Sequence, residues 1–530
     1  MKLAFEQGSM AEDLFEELGF AHFLALFDRH LPILPSLILR PLTTVEGEAH
    51  FQALRDLEEG LNLETVTQLL SLSRDLPLLD SLLPRVQAGQ LEQYHLFELG
   101  RFLQADLLLH QAETRLDVAL ARHLNLDKIQ AVLARRTNRS FSLINLSGRE
   151  DGLRQAIDQN ESELAEALVT FEKQIHERTG LKMIYPWPKE IALSQDLLSL
   201  IKDCELVTAQ QYNNLWRIDF RPGPVIIALV ARRDRLSAEF EALMAAALAE
   251  LNRELIPFYP AFADYYQARK QRTWLYLLIA ITKEHGFCLP HLRPEPGCRL
   301  EQAVLPSLKL RKHDRCIPLD LGLSPGANVL YGANMSGKTT VLKTAFFIFT
   351  LLRFGLPVPA KEIEMHFPEH VFFMLKSSGN ITRDTSTFGE EVAFFSQPLP
   401  DGAFVLVDEL FSSTDPVNGA ILSQIILSEF NRRKLVFFCS SHYPEVLDLA
   451  AINLFRMQDI DTKSLPVDIT DIRTLQDRMP YRLEKISEPS QHARIRTNHT
   501  PLEIALLFPL PNGIKEQIRQ RLNHSFNDPQ

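Results

Sequence analysis

Apolar positions recur at heptad-like spacing over residues 61–76, 91–109 and 153–175, which puts them on one face of a helix. The longest helical stretch is expected at 234–255, where Ala245, Ala246, Ala247 and Ala249 carry high helix propensity. Pro257 and Pro260 interrupt it, and a second helix is predicted at 262–284, so the two read as a long antiparallel pair. Residues 1 to 285 are thus expected to be mostly helical, with a short mixed region at 180–232. Within it, 181–185 and 224–230 read as strands, the second buried because its apolar run is continuous. Leu289-Pro290-His291-Leu292-Arg293-Pro294-Glu295-Pro296-Gly297 is a proline-rich hinge that places a domain boundary near 288. Beyond it, strand-like and helix-like segments alternate, the pattern of a mostly parallel sheet with helices on its faces.

Composition narrows the class. A chain of 530 residues has core enough for two to four domains, and 45% hydrophobic with 23% charged residues is ordinary for a soluble protein. Cys204, Cys288, Cys298, Cys316 and Cys439 are scattered, so they read as reduced thiols and not as a disulfide framework or zinc site. The start lacks the long apolar region of a signal peptide, and no apolar stretch approaches a membrane span. A soluble, cytoplasmic protein without a membrane partner is expected. The net charge of −11 counts against broad electrostatic binding to nucleic acid. Two local basic runs remain: Arg122, Lys128, Arg135, Arg136 and Arg139, and then Arg232, Arg233 and Arg235. On helices such runs are usually solvated faces.

The chemistry concentrates after the hinge. Gly332-Ala333-Asn334-Met335-Ser336-Gly337-Lys338-Thr339 has the form G-x-x-x-x-G-K-[ST], preceded by the apolar run Val329-Leu330-Tyr331 and followed by a helical run from Val341. Strand, glycine loop and helix start present backbone N–H groups to phosphate oxygens. Gly332, Asn334, Met335, Ser336, Gly337, Lys338, Thr339 and Thr340 are therefore candidate nucleotide-binding residues, with Lys338 on the β- and γ-phosphates and Thr339 on magnesium. Phe404-Val405-Leu406-Val407-Asp408-Glu409 is an apolar strand ending in two carboxylates. Asp408 suits a magnesium shell, and Glu409 suits the orientation and deprotonation of an attacking water. A third apolar strand ends in Ser440-Ser441-His442-Tyr443, where His442 is a candidate γ-phosphate contact.

These segments resemble the MutS family. The loop with Thr340 is similar to that family's nucleotide loop, with Ala333 where proline is usual. Thr385-Ser386-Thr387-Phe388-Gly389-Glu390-Glu391 looks like its signature segment, and Asp408-Glu409 with Ser413-Thr414-Asp415 and Gly419 like its magnesium strand and following loop. Ser441-His442-Tyr443 resembles its switch histidine. The resemblance is strongest over 300–460, and Gly355-Leu356-Pro357-Val358-Pro359-Ala360 leans towards the branch without a mismatch-reading domain. One departure is Phe411-Ser412, where the family usually has glycine followed by arginine.

The resemblance implies a multidomain fold: an all-α core and lever region over 1–288, an α/β P-loop ATPase domain of ABC/MutS type over 289–485, and a C-terminal helical dimerisation segment over 486–530. It implies ATP and Mg²⁺ as cofactors, with Glu409, Lys338 and His442 catalytic and Thr339 and Asp408 on the metal. Thr385, Ser386 and Thr387 would complete the site of a partner subunit, so a homodimer with composite ATP sites is expected; the same hydroxyls also suit a helix cap. No nuclease module is expected. The implied partner is mismatched or branched DNA, held in an ATP-controlled clamp. The alternative is a protein partner, since reduced MutS-like chains are associated with reactivating cobalamin-dependent aminomutases. Between Lys189 and Arg272, 11 basic and 11 acidic residues balance, which weakens the electrostatic footprint of a DNA clamp.

Overall fold

The computed structural model describes residues 2–3, 12–28, 31–34, 38–121, 124–138, 141, 143, 148–182, 189–192, 195–212, 215–311, 316–332, 336–375, 387–449, 452–458, 480–486 and 500–525. They form two compact units, one of Met1–Arg74, Leu109–Leu120 and Lys270–Gln530, the other of Asp75–Leu108 and Ala121–Arg269. Helices and mixed α/β sheets make up both.

The first unit opens with β1 (Lys2–Leu3), α1 (Glu12–Leu18), α2 (Phe20–Ala25) and β2 (Ile38–Leu39), β1 pairing in parallel with β2. Then come α3 (Thr44–Gly60) and α4 (Leu63–Ser73). Thr43 and Asn62 start these helices with capping boxes, which satisfy the first free N–H groups from both sides.

The second unit holds α5 (Leu83–Gln87), the first part of α6 (Gln93–Arg115), α7 (Leu124–Arg136), α8 (Glu150–Thr179), β3 (Lys189–Ile191), α9 (Gln195–Lys202), β4 (Val207–Tyr212), β5 (Leu215–Phe220), α10 (Pro224–Leu255) and the first part of α11 (Tyr259–His285). The strands form an antiparallel sheet in the order β3-β5-β4. Phe171 and Ile175 of α8, Ile201 of α9, Ile218 of β5 and Ile226 of α10 share one buried core. Two expectations are corrected here. The run 224–230 is the start of α10 and not a buried strand: Pro224 suits the first helical turn, and only Ile226 is buried while Val225 and Ile227 are exposed. The antiparallel partner of α10 is α8, not α11, as the meetings of Arg232 with Glu163 and of Arg154 with the Phe240 ring show. Residues 183–185 of the other expected strand lie outside the described residues. Deeper in this unit, fully buried Arg269 donates to Asp106 at 2.8 Å, and Tyr265 donates to the same carboxylate. Burying that charge is tolerable because it is paired and hydrogen-bonded.

The first unit resumes with β6 (His291–Leu292), β7 (Cys298–Ala303), α12 (Pro306–Arg311), β8 (Leu319–Leu323), β9 (Gly326–Tyr331), α13 (Lys338–Arg353), β10 (Glu362–Met365), β11 (Val371–Met374) and α14 (Thr387–Ser396). It continues through β12 (Phe404–Val407), α15 (Pro416–Phe430), β13 (Val436–Ser441), β14 (Asn453–Met457), β15 (Leu483–Ile486), α16 (Thr500–Leu507) and α17 (Asn512–Ser525). One sheet has the order β6-β10-β7-β8; the other runs β11-β12-β13-β9-β14-β15, parallel except for its last pair. Strands buried on both faces explain the unbroken apolar runs Phe404–Val407 and Val436–Phe438. Helix α13 lies on this sheet, Phe346 against Phe373 and Phe349 against Phe404, each at 4.7 Å between ring centroids. Its other side is covered by α2, whose Phe20 and Phe23 reach Phe347. Each such phenylalanine buried contributes about 1.5–3 kcal/mol. The helix carrying Lys338 is therefore clamped on two faces.

Candidate functional site

Register brings the candidate residues together. Val407 of β12 pairs with Cys439 of β13, and Ser441 of β13 with Tyr331 of β9. Asp408 is thereby level with Ser440, and Gly332 with His442, all at the carboxyl ends of parallel strands where ligands of such sheets bind. Asn328 fixes the start of β9, donating to the carbonyls of Ser324, Gly326 and Phe437.

The loop between β9 and α13 narrows on two residues. Gly337 has φ +99°, a left-handed conformation that favours glycine, and an added Cβ would lie 3.0 Å from the Tyr481 ring. Lys338 is buried at the first position of α13 and donates to the Gly332 carbonyl at 2.6 Å. Burial lowers its pKa, against the opposing pull of Glu409 and Asp408. Among the described residues the buried Ser336 hydroxyl has no hydrogen-bond partner, and a phosphate oxygen would satisfy it. Asn334 and Met335 lie outside the described residues. Thr340 follows Thr339 on the wall of the same cleft.

The acidic strand end is tied to that loop. Thr339 Oγ1 donates to Asp408 Oδ2 at 2.8 Å, and Ser440 Oγ donates to Asp408 Oδ1 at 2.7 Å. The Ser440 hydroxyl in turn accepts from the Glu409 backbone N–H at 2.7 Å. Glu409 and Phe411 sit at φ +54° and +51°, where a side chain costs about 1–3 kcal/mol each. Bonds from Leu410 N to Ser440 O and from Ser412 N to Glu409 O hold the turn in place. A cleft of about 710 Å³ is lined by Gly337, Lys338, Thr339, Thr340, Glu409 and Tyr481, among others. Thr339 and Asp408 offer a hydroxyl and one carboxylate to a cation. That matches magnesium, which binds through one or two carboxylates plus substrate phosphates. No group of three or more His, Cys, Asp or Glu residues suited to a metal occurs among the described residues.

Not every candidate enters the cleft. His442 is exposed beyond β13 with its ring 4.3 Å from that of Tyr443, and it is not among the cleft-lining residues. Thr387 is the exposed first residue of α14; Thr385 and Ser386 lie outside the described residues. In the other unit, Arg136 pairs with Glu250 and Glu254, and Arg135 with Glu254. Arg232 and Arg233 pair with Glu163 and Asp234, while Arg122 and Arg139 lie outside the described residues. Sequence reasoning missed Ser440 and Tyr481. A polar residue closing a wholly apolar run was the one available sign of Ser440.

A model of MutS domain V matches residues 328–482, the segment from β9 to the approach of β15. Residues 328–482 are thus a MutS-type segment. The chain is 32% identical to Endonuclease MutS2 of Solidesulfovibrio magneticus over 176 residues, 32% of this chain and 23% of that protein. It is 24% identical to DNA mismatch repair protein msh3 of Aspergillus fumigatus over 306 residues, 56% of this chain and 26% of that protein. To Endonuclease MutS2 of Lactococcus lactis subsp. cremoris it is 29% identical over 208 residues, 38% of this chain and 24% of that protein. The matched part is thus about a quarter of each of these curated relatives. No helix among the described residues is long and apolar enough to cross a membrane.

Proposed function

We infer that the chain is an ATP-hydrolysing MutS-type switch. The observation that carries this reading is that Lys338, Thr339 and Glu409 line one cleft, with Asp408 hydrogen-bonded to Thr339. Lys338 would leave the Gly332 carbonyl for the β- and γ-phosphates, joined by the Ser336 hydroxyl and the N–H groups at the start of α13. Glu409 would hold the attacking water and take its proton. Magnesium, held by Thr339 and Asp408, would neutralise charge developing on the phosphates. In this reading His442 senses the γ-phosphate, and Thr385, Ser386 and Thr387 close the site of a second copy. Turnover would then depend on dimer geometry. Residues 289–485 would act as the ATPase and 486–530 as a dimerisation segment.

The names of the relatives favour DNA as the partner, with ATP controlling a dimeric clamp on mismatched or branched structures. One observation favours a second reading, in which the switch remodels a protein such as a cobalamin-dependent aminomutase. Of the arginines picked out in sequence for a phosphate backbone, Arg135, Arg136 and Arg232 are paired with Glu254, Glu250 and Glu163. Neutralised side chains release fewer counterions on binding DNA. Steady-state ATPase activity with duplex, mismatched and branched DNAs at two salt concentrations separates the two. Salt-sensitive binding with altered turnover supports the clamp; an active ATPase indifferent to every DNA supports the protein partner; absence of hydrolysis overturns both.

A further inference from the structure

We propose that Phe411 is a positioning residue that couples α14 to the Glu409 carboxylate. The inference rests on the ATPase reading and concerns how α14 communicates with the hydrolytic site.

Phe411 is held where a bulky side chain is rarely found, at φ +51°, yet its ring is almost wholly buried. Burial of that ring is what makes the strained backbone tolerable. The ring packs 5.5 Å from Phe395 and 6.5 Å from Phe388, both on α14. Phe395 continues the contact to Phe430 of α15 and Phe437 of β13, which stack on each other at 4.7 Å. A second tie lies two residues on: the Ser413 hydroxyl donates to the buried Glu391 carboxylate of α14.

The other end of the same turn is the candidate base. Ser412 Oγ donates to Glu409 Oε2 at 3.3 Å, and the Glu409 N–H is held by Ser440. The Phe411 carbonyl accepts from Tyr443 Oη at 2.8 Å, next to His442. Gly419 closes this junction, since a Cβ there would lie 2.2 Å from Tyr443 Oη and 2.8 Å from the Phe411 carbonyl oxygen. A displacement of α14 therefore pushes on Phe411 and Ser413 and moves the turn that aims Glu409. Glycine at 411 would relieve the strain but remove the wedge.

The test compares wild-type chain with Phe411→Gly and Phe411→Leu. Glycine accepts φ +51° without strain, so the variant tests the ring and not the backbone. Amide hydrogen exchange is followed with and without Mg-ATP in 336–344, 408–413 and α14, alongside kcat, KM and thermal unfolding. In wild type, nucleotide should slow exchange in all three segments. Phe411→Gly should keep the response at 336–344 and lose it in α14. Its kcat should fall about tenfold or more with KM within about twofold, the signature of a misaimed group, and Phe411→Leu should recover most of the rate. An unchanged α14 response with kcat within about twofold in Phe411→Gly overturns the coupling alone. A wild-type chain with no response at 336–344 overturns the nucleotide reading, and the coupling falls with it.

Discussion

Thr339 Oγ1 donates to Asp408 Oδ2 at 2.8 Å, joining the first turn of α13 to the end of β12, 69 positions away in sequence. In the proposed reading these two side chains would hold magnesium. Replacing Asp408 by Asn removes the charge and leaves the hydrogen-bonding shape. The Mg²⁺ concentration for half-maximal ATPase activity should then rise about tenfold or more. A magnesium titration checks this, and an unchanged midpoint would place the metal elsewhere.

Glu409→Gln keeps the size of the side chain and does not worsen the backbone, since φ +54° is no harder for Gln than for Glu. It removes the carboxylate that the proposed reading makes the proton acceptor. Nucleotide binding should persist while turnover falls about 10²–10⁴-fold, the usual range for loss of a positioned base. Binding and single-turnover hydrolysis measured on the same preparation decide it. Normal turnover would assign the base to another group.

Gly337→Ala meets two obstacles at once, φ +99° and the Tyr481 ring 3.0 Å from the new Cβ. The expected cost is about 1–3 kcal/mol of stability, with loss of nucleotide affinity. Gly322→Ala is the internal comparison, because none of the described residues lies within 4 Å of its added Cβ and its φ is not positive. Thermal unfolding and nucleotide titration of both should separate them; equal behaviour would contradict the geometry.

His50 gives stability a dependence on pH. Its Nε2 lies 2.9 Å from the Gly355 carbonyl, and burial lowers its pKa below the ordinary value of 6.5 although that hydrogen bond pulls the other way. The unfolded chain therefore binds the proton more readily than the folded one. Stability is fully present above 6.5 and is lost as pH falls towards the lowered folded value. His50→Gln, which does not titrate, should lose less melting temperature between pH 7 and 5 than wild type. Parallel slopes in the two proteins would remove His50 as the cause.

Much of the site was legible because its chemistry is local in sequence. The glycine loop needs Gly337 and Lys338 adjacent, and the strand ending in Asp408-Glu409 announces itself by four apolar residues before two charges. Ser440 was harder to see. Its value comes from being level with Asp408 on the neighbouring strand, and that alignment is a property of register, not of the segment around it. The run 224–230 misled because a continuous apolar stretch looks alike in a buried strand and in a helix with one covered face. Only the packing of α8 against it exposes which side is covered.

The sequence by itself determined the helical character of the first half, the glycine-loop motif and the apolar strand ending in paired carboxylates, because propensity and short motifs act over a few neighbouring residues. Tertiary structure alone decided that α10 pairs with α8, that Arg135 and Arg136 face carboxylates, and that Phe411 is forced into a left-handed turn against α14. Each of those depends on contacts between residues far apart in the chain, whose burial repays locally unfavourable conformations that no short window of sequence reveals.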